Sequence, residues 1–330
     1  MRRFRPLHSY MFLHFLSLLL IFLTLTGCTT QPTPLKPMYS YNDFIYQGKN
    51  NFYASPRKVI VNNNELFISF DNGDIVKWNL TTQKLLQVFK KESFATNRAL
   101  SYSNSGLYIG SSDMTLYHLN DNFNLITKKR YFKGSIFNIQ PFKKYLFVAF
   151  GDASIGIVNK KDLKLLSSYR EHLYLVYSLY LDEKNNFLYT GSDDNTIIKW
   201  KITQDSKLKK IKLIHDFKSA IRNIIKLKNH YIVTTGNGSL YLYNKEFNLI
   251  LDKKEQKNNI VSALYYKDIL YTGNTKGEIY LYKIRNNSFQ INKNIKLDSV
   301  IRSIVKINST SILILSKNGK TLLLKLKDKV

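Results

Sequence analysis

Apolar and polar residues recur along this chain in a fixed order. One apolar segment follows a tight turn and appears seven times: Asp74-Ile75-Val76-Lys77-Trp78, Thr115-Leu116-Tyr117-His118-Leu119, Ser154-Ile155-Gly156-Ile157-Val158, Thr196-Ile197-Ile198-Lys199-Trp200, Ser239-Leu240-Tyr241-Leu242-Tyr243, Glu278-Ile279-Tyr280-Leu281-Tyr282 and Thr321-Leu322-Leu323-Leu324-Lys325. The last residues of these copies lie 41, 39, 42, 43, 39 and 43 positions apart. Each copy follows a second apolar segment, as in Leu188-Tyr189-Thr190-Gly191-Ser192 and Leu270-Tyr271-Thr272-Gly273-Asn274, read as a strand ending in a turn. A further apolar strand comes before that, such as Val300 to Val305, and a more polar one comes after, such as Lys84 to Val88. The turns carry Asn, Asp and Gly, as hairpins require. No long helical pattern interrupts the order.

Self-similarity at a period near 40 residues means a repeat architecture. Four strands per unit and seven units predict an all-β, seven-bladed β-propeller of four-stranded blades. Near-continuous apolar runs such as Tyr145 to Phe150 suit inner strands buried on both faces, where a half-buried strand would alternate. The last unit ends shortly after its third strand, and Asp43-Phe44-Ile45-Tyr46 precedes the first unit with no blade of its own. The expectation is that this N-terminal strand closes the ring as the outer strand of the seventh blade, because an unpaired seam is a liability.

The units resemble the WD-repeat family. The fourth fits best: His172 precedes Val176-Tyr177-Ser178-Leu179, and Leu188 to Asp194 leads to Trp200. The resemblance implies that His172, Thr190, Asp194 and Trp200 form a hydrogen-bonded structural network within one blade. Other units depart from the pattern. The fifth has Gly236-Asn237-Gly238 where the Asp should be, and neither Trp is followed by Asp.

The N-terminus changes the picture. Arg2, Arg3 and Arg5 form a basic head, Met11 to Leu25 is nearly all apolar, and Leu25-Thr26-Gly27-Cys28 follows. This is the layout of a secretory signal, and its ending resembles the bacterial lipobox, in which the cysteine is acylated and becomes the new N-terminus. The expected organisation is therefore a lipoprotein signal peptide over 1–27, a lipidated tether with three prolines over 28–40, and the propeller over 41–330. Cys28 is the only cysteine, so the exported part has no disulfide and no cysteine metal site. The membrane partner is a lipid bilayer facing the periplasm. Thr29 after Cys28 favours the outer membrane over the inner, by the usual sorting pattern of such lipoproteins.

The chain carries a net charge of +27, and +24 once the three signal arginines are removed. Export argues against nucleic acid and towards an acidic envelope partner; a composition rich in Lys, Asn and Ile is the plainer source of the charge. His118, His172, His215 and His230 lie in different units without metal-ligand spacing. There is no phosphate loop and no nucleophile elbow, so no cofactor and no enzymatic activity are expected. Lysines in the fourth strands, such as Lys207, Lys209, Lys210 and Lys212, read as protection of blade edges.

One column has a different character. Near the start of each innermost strand stand Lys58, Arg98, Phe137, Tyr177, Arg222, Ser262 and Arg302. In WD-repeat proteins this position sits at the mouth of the central channel and often contacts partners. Arginine and aromatic residues are enriched at interface hot spots, so Lys58, Arg98, Phe137, Tyr177, Arg222 and Arg302 are the candidate binding residues. The function expected is an envelope scaffold mediating protein–protein interaction. Two alternatives stand beside it: an accessory protein of a periplasmic redox system, similar to the NapL propellers of nitrate reductase, and an outer-membrane assembly factor similar to the BamB family, which usually has eight blades.

Overall fold

The computed structural model describes residues 46–47, 53–82 and 84–326. The signal peptide, Cys28, the tether and Asp43 to Ile45 lie outside the described residues. The rest builds seven antiparallel blades, with a single 3₁₀ turn, Glu183–Asn185, as the helical element among them. The innermost strands are Pro56–Asn62, Asn97–Ser103, Ile136–Phe142, Val176–Asp182, Ile221–Lys226, Ile260–Tyr266 and Ile301–Asn308. Three further strands follow in each of the first six blades, paired in chain order outward from the channel; blade four continues with Phe187–Ser192, Ile197–Ile202 and Leu208–Ile214.

Burial follows the layering that the sequence pattern implies. Second strands such as Tyr145–Phe150 are buried almost throughout, because both of their faces meet neighbouring blades. Fourth strands such as Leu125–Arg130 are largely exposed, and there the lysines lie. Among the described residues the core divides into seven apolar clusters, each made by two adjacent blades. The repeat thus buries its apolar faces only by stacking on its neighbours.

The segment expected to close the ring falls mostly outside the described residues. The seventh blade has three strands among the described residues, Ile301–Asn308, Ser311–Ser316 and Thr321–Lys325. Of the segment expected to add a fourth, only Tyr46 is described. It pairs with Ala54, and Gln47 with Tyr53, in a separate two-stranded ladder. The described contact between the last and first blades is side-chain packing. Ile307, Leu313 and Leu315 meet Val59, Leu66, Ile68 and Trp78 in one buried cluster. That cluster is built like those at the other six boundaries.

Candidate functional site at the channel mouth

Blade four contains the network implied by the WD resemblance. The indole Nε1 of Trp200 donates to Thr190 Oγ1 at 3.0 Å, and Thr190 Oγ1 lies 2.7 Å from His172 Nε2. His172 Nδ1 lies 2.9 Å from Asp194 Oδ2. One assignment of protons satisfies every group: Thr190 donates to Nε2, and the Nδ1–H donates to the carboxylate. Burial pushes the Asp194 carboxyl up, but hydrogen bonds from His172, Thr196 and the Leu173 amide outweigh it and hold the group below the usual carboxylate range. The network is interior and ties the blade's outer loop to its sheet.

Other blades fill the same corner with different chemistry. Lys91 stands 20 residues before Ser111 and 22 before Asp113, the spacings of His172 to Ser192 and Asp194. Its buried amine donates to Ser111 Oγ at 2.6 Å and lies 3.6 Å from Asp113. Burial pushes that amine down to about 8, against the pull of Asp113. In blade six, Gln256 Nε2 donates to Thr272 Oγ1 at 2.6 Å and to the Tyr282 hydroxyl at 3.1 Å. In blade five the absent Asp is replaced by Asn237, whose Oδ1 accepts the Ser239 amide at 3.2 Å. That is the turn made by Asp194 with Thr196.

The channel mouth arises from a backbone irregularity. Every innermost strand slips register between its first and third residues, leaving the second opposite no partner. Such bulges re-aim a side chain. The seven bulged residues are Arg57, Arg98, Phe137, Tyr177, Arg222, Val261 and Arg302, and all seven line one cavity of about 580 Å³. The sequence column is therefore corrected at two places. Arg57 replaces Lys58, which lies one residue further along the strand and also lines the channel; Val261 replaces Ser262, whose hydroxyl instead accepts the Ile304 amide at 3.0 Å. A shared spacing signals this: Arg98, Phe137 and Arg222 each lie 21 residues before the end of their third-strand copy, as do Arg57 and Val261, whereas Lys58 and Ser262 lie 20 before; in the longer fourth and seventh units Tyr177 and Arg302 lie 23 before.

The ring divides in two. Across blades two to five, the Arg98 guanidinium lies 5.2 Å from the Phe137 ring, Phe137 lies 5.3 Å from Tyr177, and Arg222 lies 4.5 Å from Tyr177. Arg222 Nη1 also pairs with Asp193 at 2.7 Å. These cations are engaged by rings and a carboxylate. Across the seam, Arg302 and Arg57 come from adjacent blades, and the buried Nε of each has no hydrogen-bond partner among the described residues. Burial lowers the pKa of Arg302, and the charge of Arg57 lowers it further; Tyr177 and Asp71 act in the opposite sense. Lys58 also lines the channel and is exposed.

Outside the ring lies an apolar crest that the sequence reading did not single out. Phe94, Phe132, Leu173 and Tyr174 are 62%, 77%, 82% and 64% exposed. They sit in the three successive loops leading into the innermost strands of blades two, three and four. Each loop is tied to the turn between its blade's second and third strands by one backbone bond: Ser112 to Thr96, Asp152 to Lys133 and Asp193 to Leu175. The crest and the bulged ring therefore share one face.

No protein-family profile and no curated protein sequence matches this chain. Solved structures do. The WD40 β-propeller domain of Doa1 superposes with a TM-score of 0.71 at 13% identity, covering 87% of this chain and 97% of that one. A chain of a mitotic checkpoint complex gives 0.71 at 10% identity, covering 86% and 99%. The computationally designed Ika8 protein gives 0.64 at 14% identity, covering 86% and 98%. At such identities the likeness establishes a seven-bladed propeller with WD40 structural neighbours, and the fold alone.

Proposed function

We propose that this chain is a non-catalytic docking scaffold of the bacterial envelope, anchored through Cys28 to the periplasmic side of a membrane, with the outer membrane favoured. Its channel-mouth face holds a partner protein through an acidic segment. The observation that carries this reading is the composition of one face: four guanidiniums and two aromatic rings around the channel, beside four exposed apolar side chains. Arginine and aromatics supply most of the energy at protein interfaces, and exposed apolar groups gathered on one face mark interaction sites. Seven blades weigh against a BamB-like role.

The test is capture from envelope extract by the full chain in detergent. Wild type should retain a partner at low salt and lose it as salt rises. The variant R57E/R98E/R302E should capture none while melting like wild type. A photo-crosslinker replacing Phe132 should reach that same partner. Equal recovery by both chains at both salt levels would overturn the docking reading. The anchor is tested separately: Cys28→Ala should leave an unprocessed, unacylated precursor, and normal processing with lipid incorporation would refute it.

A further inference from the structure

We propose that the seam between the last and first blades carries an oxyanion site, in which Arg57 and Arg302, with Lys58 beside them, bind one carboxylate or phosphate group at the channel mouth. The proposal rests on the docking reading and deepens it by naming the chemical group received.

The four arginines of the ring are not equivalent. Arg98 and Arg222 stack on Phe137 and Tyr177, and Arg222 has the Asp193 carboxylate at 2.7 Å. Arg57 and Arg302 have no ion pair among the described residues, and their Nε atoms are shielded from water without an acceptor. The carboxylate acting on Arg302 is that of Asp71, whose Oδ1 already accepts the Ser55 amide at 2.8 Å. Arg302, Arg57 on the adjacent blade and Tyr177 three blades away all line the same channel cavity. Two like charges held together with idle donors are answered by a group that presents two oxygens. A guanidinium fork matches such a group in its plane. Partial burial disfavours the charge of Arg302, and an arriving anion would offset that cost.

The experiment is thermal melting of the full chain in detergent at constant ionic strength, with inorganic phosphate or a short glutamate-rich peptide replacing chloride. At ten times its dissociation constant either ligand should raise the melting temperature by about 3 °C. Arg57→Gln and Arg302→Gln should each abolish the rise. Each should also melt at or above the wild-type temperature without ligand, because the substitution removes repulsion. Replacing two exposed outer-strand lysines, K129Q/K209Q, should leave the rise intact and so exclude a net-charge effect. Tighter binding of the peptide assigns the oxyanion to a protein partner, and tighter binding of phosphate assigns it to a free anion; both support the site. No rise with either ligand, or an equal rise in the arginine variants, would overturn it. Salt-sensitive partner capture that depends on Arg98 and is crosslinked from Phe132 would survive that result, so the two readings fail separately.

Discussion

A lysine amine with almost no exposed surface is an unusual choice for the corner where another blade places His172. Lys91 meets the same turn through Ser111 and Asp113, but as a cation in a site that disfavours charge. The consequence is a pH dependence of definite sign. The unfolded chain holds this proton to the ordinary value of 10.5, and the folded chain only to about 8. Below pH 8 both states are protonated and the full penalty acts. Between pH 8 and 10.5 the unfolded state binds more protons, so stability rises with pH, by on the order of 3 kcal/mol. Denaturant unfolding of wild type against Lys91→Met should show the wild type gaining on the variant across that window. A constant difference from pH 7.5 to 10.5 would show that the amine is not desolvated. The His172 network was legible in the sequence because its residue types and spacing match a known pattern. Lys91 was not, because a lysine in a polar stretch reads as a protected edge; only its spacings of 20 and 22 to Ser111 and Asp113 mark it as the counterpart of His172.

Strands are where the sequence pattern was most informative and where it also misled. The apolar runs located the buried second and third strands, since burial on both faces removes alternation. The Thr-Gly pairs lie inside the second strand: Gly191 is the fifth residue of Phe187–Ser192. The reason is contact between blades. A Cβ on Gly191 would lie 2.4 Å from Cγ2 of Ile221, the first residue of the next innermost strand, and Gly273 meets Ile301 in the same way at 2.3 Å. Gly191→Ala should therefore force blades four and five apart, at a cost of about 1–3 kcal/mol. In a double-mutant cycle measured by chemical denaturation, G191A and I221A should be less costly together than the sum of the two alone. Simple additivity would mean that the glycine serves its own strand and not the neighbour. The bulge that turns Arg57 and Val261 into the channel was hidden for a related reason. The runs Val59-Ile60-Val61 and Ala263-Leu264 leave the central apolar position of the strand ambiguous, so counting back from it slipped by one.

At the scale of the ring, the number of blades was legible from the seven copies of the repeat, whereas the packing at the seam was not. Period reports how many units stack, and says nothing of how the two ends meet. The described seam is held by the same kind of apolar cluster as every interior boundary. Leu313→Ala at the seam should cost about 2–5 kcal/mol, comparable with Leu242→Ala at the boundary of blades five and six. Both side chains are essentially fully buried, so matched urea titrations make a fair comparison. If the seam variant unfolded at the wild-type midpoint while L242A did not, packing would not be what closes the ring.

The bulged position has one more implication, for how such a molecule changes over time. Its seven side chains line the channel from a point where the ladder has no partner to lose. Exchanging one of them rewrites the channel's chemistry without unpicking a sheet, and the seven sites are spread over the sequence, so each can be altered alone. The scaffold thus behaves as a set of seven editable characters on an invariant frame. A lineage, or an engineer, can respell the recognised ligand one blade at a time while the frame keeps its shape.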